Sequence, residues 1–187
     1  MYLQIFGLRE PPFGDAPDTR FACLFARERD LIAHVEYELN ATALGVMLVT
    51  GEAGIGKSLL CLLIEADAGH HGVRAVRHGR DDYALKTIAW LRSMYAAFGL
   101  PLPLSADANT AENLIDGLAA GLGRLAHHVG HRFLLILDDV DHLSDDDLAL
   151  MARLLVACEG AGATFHMLLA GRPALLTIHG PRSGLRT

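Results

Sequence analysis

The sequence predicts an α/β fold in which helices cover both faces of a doubly wound parallel sheet. Apolar runs of strand length alternate with stretches of helical periodicity, which is the pattern of such a sheet. One apolar run leads into a glycine-rich turn and a helix, and another ends in two carboxylates. A length of 187 residues, 51% of them hydrophobic, suits one domain overall with a sizeable core.

The chain divides into an N-terminal strap with its helix at residues 1–44 and a core at residues 45–187. The strap is rich in proline and predicts an irregular arm. Its aromatic residues are expected to hold it in place: Tyr2, Phe6, Phe13, Phe21 and Phe25. A helix should run from about Arg27 to Leu39, because apolar residues recur there at helical spacing.

Four strands and four further helices are expected in the core. The strands are Gly45 to Thr50, Val73 to Val76, Phe133 to Leu137 and Phe165 to Leu169. The helices are Lys57 to Ala68, Asp82 to Phe98, Ala111 to His127 and one that follows Ser144 and ends near Gly160. Ser144 precedes three aspartates, which is a strong N-cap signal.

Composition narrows the classes of partner and location. The net charge of -6 gives no support for nucleic acid or an anionic membrane as a partner. Cys23, Cys61 and Cys158 each lie among apolar neighbours, as buried thiols do in a reducing cytoplasm. No run reaches the ~18 to 20 apolar residues of a spanning helix, and no signal peptide opens the chain, so a soluble cytoplasmic protein is expected.

The segment after the first strand predicts a phosphate-binding loop, or P-loop. It matches G-x-x-x-x-G-K-[ST] at every fixed position between a predicted strand and a predicted helix. Its backbone N–H groups would cradle the phosphates of ATP, Lys57 would reach the β- and γ-phosphates, and Ser58 would ligate Mg²⁺. The candidate nucleotide-binding residues are Gly51, Glu52, Ala53, Gly54, Ile55, Gly56, Lys57, Ser58 and Leu59.

The third strand delivers two carboxylates at its C-terminal end, where open α/β sheets bind ligands. Asp138 would hold Mg²⁺ through its water shell, and Asp139 would orient or deprotonate the attacking water. The alternative is an Asp-rich turn without chemistry. Its combination with the glycine loop favours the catalytic interpretation.

Arginines and histidines give weaker signals. Arg172 follows the fourth strand, where it would sense the γ-phosphate or would be a solvated loop residue. Arg182 and Arg186 would act on a neighbouring subunit's nucleotide or belong to a frayed basic tail. His127 and His131 have the spacing of helical metal ligands, but Gly130 interrupts that helix and no third ligand is fixed nearby.

The residues resemble the ExeA-like ATPases, known as general secretion pathway protein A, of the AAA+ class. The resemblance covers almost the whole chain. It rests on Met1 to Gln4, Phe6 to Leu8, Pro11 to Phe13, Pro17-Asp18, Arg20-Phe21, the glycine loop, Leu134 to Ser144 and Ala170 to Leu175. It implies an ATPase that powers or regulates assembly of the outer-membrane secretin, acts as a homo-oligomer and lies at the cytoplasmic face of the inner membrane through a C-terminal anchor.

Three departures from that family modify the expectation. Asp139 stands where the family has glutamate, which predicts slow hydrolysis. Arg172 replaces the usual glutamine of the Gly-x-Pro turn, so its sensor role stays open. The resembled core continues into a fifth strand and a helical lid, and Thr187 stops short of both, so a fragment or a truncated core is expected.

Two other functions stay open from the sequence. A nucleotide-dependent switch of the signalling-ATPase type would hold ATP more than turn it over, and an Asp-Asp strand end is common there. A transposition-type ATPase that loads on DNA would need a basic surface that the overall charge does not provide.

Overall fold

The computed structural model describes residues 2–11, 18–79, 82, 86–103 and 110–173. Its helices are α1 (Tyr2–Ile5), α2 (Ala26–Ala41), α3 (Lys57–Ala68), α4 (Thr87–Ala97), α5 (Ala111–Val129) and α6 (Asp145–Gly160). Its strands are β1 (Leu44–Thr50), β2 (Val73–His78), β3 (Arg132–Asp138) and β4 (Phe165–Gly171). Each predicted core strand and helix is present within these described parts of the chain, with shifted bounds.

The four strands form one parallel sheet in the order β1-β4-β3-β2. The P-loop helix α3 begins seven residues after β1 ends. Because all strands run the same way, their carboxyl ends meet at one edge of the sheet. The glycine loop after β1 and the aspartates at the end of β3 therefore share that edge, with the end of β4 between them. The doubly wound parallel sheet expected from the sequence is confirmed.

The sheet is buried on both faces, which explains why β3 and β4 read as continuous apolar runs. On one face α4, α5 and α6 pack against sheet side chains such as Phe133 and Phe165. On the other face α2 and α3 pack against Leu134, Ile136 and Leu168. Side chains alternate along a strand, so Asp138 points to the same face as Ile136, toward α3.

The start of α6 shows how local sequence sets an element boundary. The Ser144 Oγ accepts a hydrogen bond from the backbone N–H of Asp147 over 3.2 Å, and the Asp147 carboxylate accepts one from the Ser144 N–H over 2.9 Å. This reciprocal pair satisfies two N–H groups at the helix start. The N-cap predicted at Ser144 is confirmed.

Several expectations about the N-terminal arm are wrong. Tyr2, Phe6 and Phe25 are 48%, 72% and 69% exposed, so they do not hold the arm against the domain. Tyr2 lies in the one-turn helix α1, which leaves the side chain on the surface. Cys23 is exposed as well, whereas Cys61 and Cys158 are buried as expected.

Some expectations concern residues outside the described parts of the chain. These are the contacts of Phe13 and the Phe21 side chain, the inward position of Leu85, and the roles of Arg182 and Arg186. Within the described part, α4 begins at Thr87, and its predicted inward residues Leu91, Met94 and Tyr95 are buried.

Candidate nucleotide-binding site

The glycine loop lies at the carboxyl edge of the sheet and is shaped by its glycines. The Gly51 N–H donates to the carbonyl of Gly171 at the end of β4, over 3.1 Å. Gly54 and Gly56 have φ angles of 80° and 96°, which side chains rarely adopt. This backbone brings the chain directly into α3, whose first N–H groups have no partner inside the helix. Such a helix start favours a bound anion.

Lys57 is the first residue of α3, and its side chain turns back over the loop. Its ammonium Nζ donates to the carbonyls of Gly51, over 2.8 Å, and Glu52, over 3.0 Å. The loop is open to solvent, since Ile55 at its tip is 56% exposed. Phosphate oxygens entering there would meet the ammonium without displacing any buried side chain. Ser58 and Leu59 lie half-buried in the first turn of α3.

Asp138 ends β3 and is the buried carboxylate of the site, with its side chain 6% exposed. Its Oδ1 accepts a hydrogen bond from the backbone N–H of Asp139 over 3.1 Å. Its Oδ2 lies 4.0 Å from Nη1 of Arg77, which projects from β2. A buried carboxylate facing the start of α3 suits a hydrated Mg²⁺ ion, which proteins hold through one or two carboxylates plus substrate phosphates.

Asp139 has a left-handed backbone, with φ 56° and ψ 43°. Among the described residues it is the one non-glycine residue with a positive φ. Aspartate tolerates this conformation better than most residues do, because its short polar side chain can bond locally. The strained backbone therefore coincides with the residue that the sequence places at the chemical step, as is frequent at functional sites.

Arg172 is tied to the site through its backbone more than through its side chain. Its N–H donates to both carboxylate oxygens of Asp141, over 3.0 and 3.1 Å. Its side chain is 63% exposed, with Nε 3.9 Å from Oδ2 of Asp141. Asp141 thus connects the turn after β3 to the turn after β4, and the Arg172 side chain stays available to solvent.

Cys61 lies on α3 beneath these carboxylates. Burial, reinforced by the negative charge of Asp138, raises the pKa of its thiol to about 12. The thiol is therefore protonated at neutral pH and is not a nucleophile.

Residues 24–169 match the family model described as AAA ATPase domain, which is most of the chain. The chain belongs to the AAA ATPase domain family. Membership in this family implies nucleotide binding. This AAA ATPase domain is 31% identical over 183 residues to General secretion pathway protein A of Aeromonas hydrophila. That match covers 94% of this chain and 30% of that protein, so the chain spans under a third of its relative.

Solved structures share the fold of this AAA ATPase domain at low sequence identity. Cdc6p of Pyrobaculum aerophilum has a TM-score of 0.64 at 15% identity, covering 88% of this chain and 43% of that one. AMPPCP-bound DnaA of Aquifex aeolicus has a TM-score of 0.51 at 16% identity, covering 89% and 45%. At such identities the likeness shows the P-loop fold alone.

Sequence reasoning missed three charged residues of the AAA ATPase domain. Arg77 lies beside Asp138, Glu65 on α3 accepts from Arg77 Nε over 3.2 Å, and Asp141 binds the Arg172 backbone. Asp141 carried a signal, since it is the third carboxylate in Asp-Asp-x-Asp. Arg77 carried none, because its role depends on β2 lying next to β3.

Other potential ligands lie away from the loop. Helix α5 ends at Val129, and Gly130 follows it at φ 70°, so His127 and His131 do not share a helix face. Glu36, Asp67 and His71 bring ligand atoms within 4.8 Å of one another. They line a small pocket with Val73 and Arg132, at the edge where β2 and β3 begin, and the His71 Nε2 lies 2.8 Å from a Glu36 carboxylate oxygen and 3.7 Å from one of Asp67. In the described parts of the chain, no helix has the length and apolarity to cross a membrane.

Proposed function

We propose that this chain binds ATP with Mg²⁺ and hydrolyses it to ADP and phosphate. The observation that carries this is the shared edge of the sheet, where the loop after β1 and the carboxylates after β3 flank the end of β4. Neighbouring strands lie about 4.8 Å apart, so one intervening strand sets loop and carboxylates roughly 10 Å apart. A triphosphate with its metal ion fits between them.

In this proposal each residue of the site has a role in ATP binding or hydrolysis. The loop N–H groups from Gly51 to Leu59 bind the phosphates, and the Lys57 ammonium exchanges its carbonyl partners for phosphate oxygens. Ser58 and Asp138 hold Mg²⁺, which when bound neutralises charge on the phosphates. Asp139 orients the attacking water, and Arg172, whose backbone N–H is held by Asp141, senses the terminal phosphate.

We further propose that ATP turnover powers or regulates assembly of a secretin or related envelope machinery, in a homo-oligomer at the cytoplasmic face of the membrane. The support is the 31% identity to General secretion pathway protein A across 94% of this chain. In a host whose gene for this protein is deleted, the protein with the unaltered sequence should restore the assembled secretin multimer on non-denaturing gels. The Lys57→Ala variant should not restore it. Equal restoration by both would contradict the role of turnover.

A nucleotide-dependent switch is the second candidate, and the geometry of Asp139 favours it. A carboxylate one methylene shorter than glutamate, on a left-handed backbone, reaches less far toward the nucleotide. Retention of nearly stoichiometric ATP by the purified chain would support the switch, and steady turnover would support the ATPase.

The phosphate-loop assignment is tested by Lys57→Ala, with Lys86→Ala as the matched control. Both variants remove one lysine charge, but Lys86 is an exposed residue just before α4. Equilibrium titration with a fluorescent ATP analogue should show binding lost in Lys57→Ala and unchanged in Lys86→Ala. Circular dichroism should show both folded, because the Lys57 ammonium donates to loop carbonyls and Lys57 is not a residue of the buried core. Undiminished affinity in Lys57→Ala would overturn the proposal.

A further inference from the structure

Arg77 is placed by the sheet next to the carboxylate assigned to magnesium. It pairs in register with Ile136, two residues before Asp138, so Arg77, Ile136 and Asp138 face α3 together. Its Nη1 lies 4.0 Å from Asp138 Oδ2, and its Nε donates to Glu65 on α3 over 3.2 Å. The guanidinium thus bridges a carboxylate of the site and one behind it.

Partial burial strengthens the electrostatic interactions among Arg77, Glu65 and Asp138. The side chains of Arg77 and Glu65 are 29% and 34% exposed, and that of Asp138 is 6% exposed. Charges in such a setting are screened less than surface pairs. One cation between two carboxylates leaves a net charge of about -1 for the three groups, where the carboxylates alone would carry about -2.

Asp138 therefore has a cation of the protein itself beside it. Its Oδ1 accepts from the Asp139 N–H, and its Oδ2 faces Arg77. The guanidinium would repel an Mg²⁺ ion bound at Asp138. That repulsion falls if Arg77 moves away from Asp138 and toward Glu65. The competition requires only that Arg77 and Mg²⁺ share the carboxylate of Asp138.

We propose that Arg77 is a positioning residue that sets the magnesium requirement of the nucleotide site. It lies between Asp138 and Glu65, and it keeps Glu65 as its partner when Mg²⁺ binds at Asp138. This inference rests on the proposed function, because it takes Asp138 as the residue that holds Mg²⁺. The consequence is that ATP binds productively only above a Mg²⁺ concentration determined by the Arg77–Glu65 pair.

The test is a Mg²⁺ titration of binding of a fluorescent, non-hydrolysable ATP analogue. Arg77→Gln should lower the Mg²⁺ concentration for half-maximal enhancement of affinity by at least about fivefold, the lower end of usual coupling between sites. Glu65→Gln should raise it, since Arg77 then has Asp138 as its remaining carboxylate partner in this group. Arg74→Gln, which removes the same charge from the start of β2, should change nothing. In excess EDTA, Arg77→Gln should bind the analogue no more tightly than the parent, because no metal ion then competes with the guanidinium for Asp138.

Several outcomes would overturn the inference. Arg77→Gln could leave the half-maximal Mg²⁺ concentration unchanged or raise it, or Glu65→Gln could shift it downward. Should Arg77→Gln fail to fold by circular dichroism, the direction of the Glu65→Gln shift decides alone. If Asp138→Asn leaves the Mg²⁺ dependence intact, the magnesium role of Asp138 falls and this inference falls with it. Identical binding by the parent and Lys57→Ala would instead reject the proposed function itself.

Discussion

The backbone N–H of Asp139 donates to Oδ1 of Asp138 over 3.1 Å, and the same turn places Asp139 at φ 56°. The two adjacent carboxylates therefore differ in burial and backbone conformation, although the sequence repeats one residue type. Asp138 is buried and faces Arg77, whereas Asp139 is half-buried on a left-handed backbone. This division suits the proposed roles, in which Asp138 holds the metal ion and Asp139 meets the attacking water.

Asp139→Asn should separate ATP binding from hydrolysis. Asparagine tolerates the left-handed backbone, so the turn is kept, while the charge that orients water is lost. We expect unchanged ATP affinity and a single-turnover rate lower by about 10²-fold or more. If this variant hydrolyses ATP as fast as the parent while Lys57→Ala is inactive, Asp139 is not the catalytic carboxylate. That result would support the nucleotide-dependent switch as the function.

Asp139→Glu should raise turnover at a cost in stability. The extra methylene extends the carboxylate by roughly 1 Å, a displacement that can change rates by ~10²-fold. Glutamate is less suited to the left-handed backbone, which should lower the free energy of unfolding by about 1 kcal/mol. Urea denaturation and single-turnover hydrolysis measure the two effects separately. A slower variant of unchanged stability would contradict both parts.

Gly56→Ala should weaken ATP binding through the backbone. Gly56 has φ 96°, and no atom lies within 4 Å of the place where a Cβ would stand, so the cost is strain without a clash. Relief of about 1 to 2 kcal/mol of strain would turn the start of α3 away from its present direction. The control is Gly69→Ala, since Gly69 has φ -60° and equally open space. Titration with ATP should show weaker binding for Gly56→Ala alone.

Gly123→Ala should destabilise the contact between α5 and α6. A Cβ at Gly123 would lie 2.3 Å from the backbone carbonyl oxygen of Ala161, so the two elements must separate. Overpacking of this kind costs about 1 to 3 kcal/mol. Gly160→Ala, at the end of α6 with nothing within 4 Å, should be neutral or slightly stabilising. Equal midpoints of thermal unfolding for the two variants would contradict the packing seen here.

His166 should make the stability of the fold fall in mild acid. It is fully buried in β4, with Nε2 3.0 Å from Oγ1 of Thr42, and burial lowers the pKa of its imidazole below 6.5. A lowered folded pKa means that stability is full above about pH 6.5 and is lost as the pH falls toward the folded pKa, because the unfolded chain takes up the proton first. The free energy of unfolding at pH 7 and pH 5.5 should therefore drop less in His166→Gln than in the parent. Equal drops would show that His166 does not contribute.

The features that sequence alone determined are those encoded within a few neighbouring residues. The glycine loop between strand and helix, the reciprocal cap of Ser144 and Asp147, and the apolar run before Asp138 each depend on local backbone chemistry or on periodicity. Their bounds in the structure differ by only a few residues from the predicted ones. The parallel sheet followed from the alternation of such segments.

Tertiary structure alone decided which distant charges meet and which aromatics are buried. Arg77 reaches Asp138 because β2 pairs with β3, and Asp141 reaches Arg172 because β4 lies beside β3. Tyr2 and Phe6 looked like anchors by residue type, yet no apolar surface of the described domain covers them. Strand order, register and the supply of facing apolar surface are properties of the whole packed chain, because each depends on contacts between residues far apart in sequence.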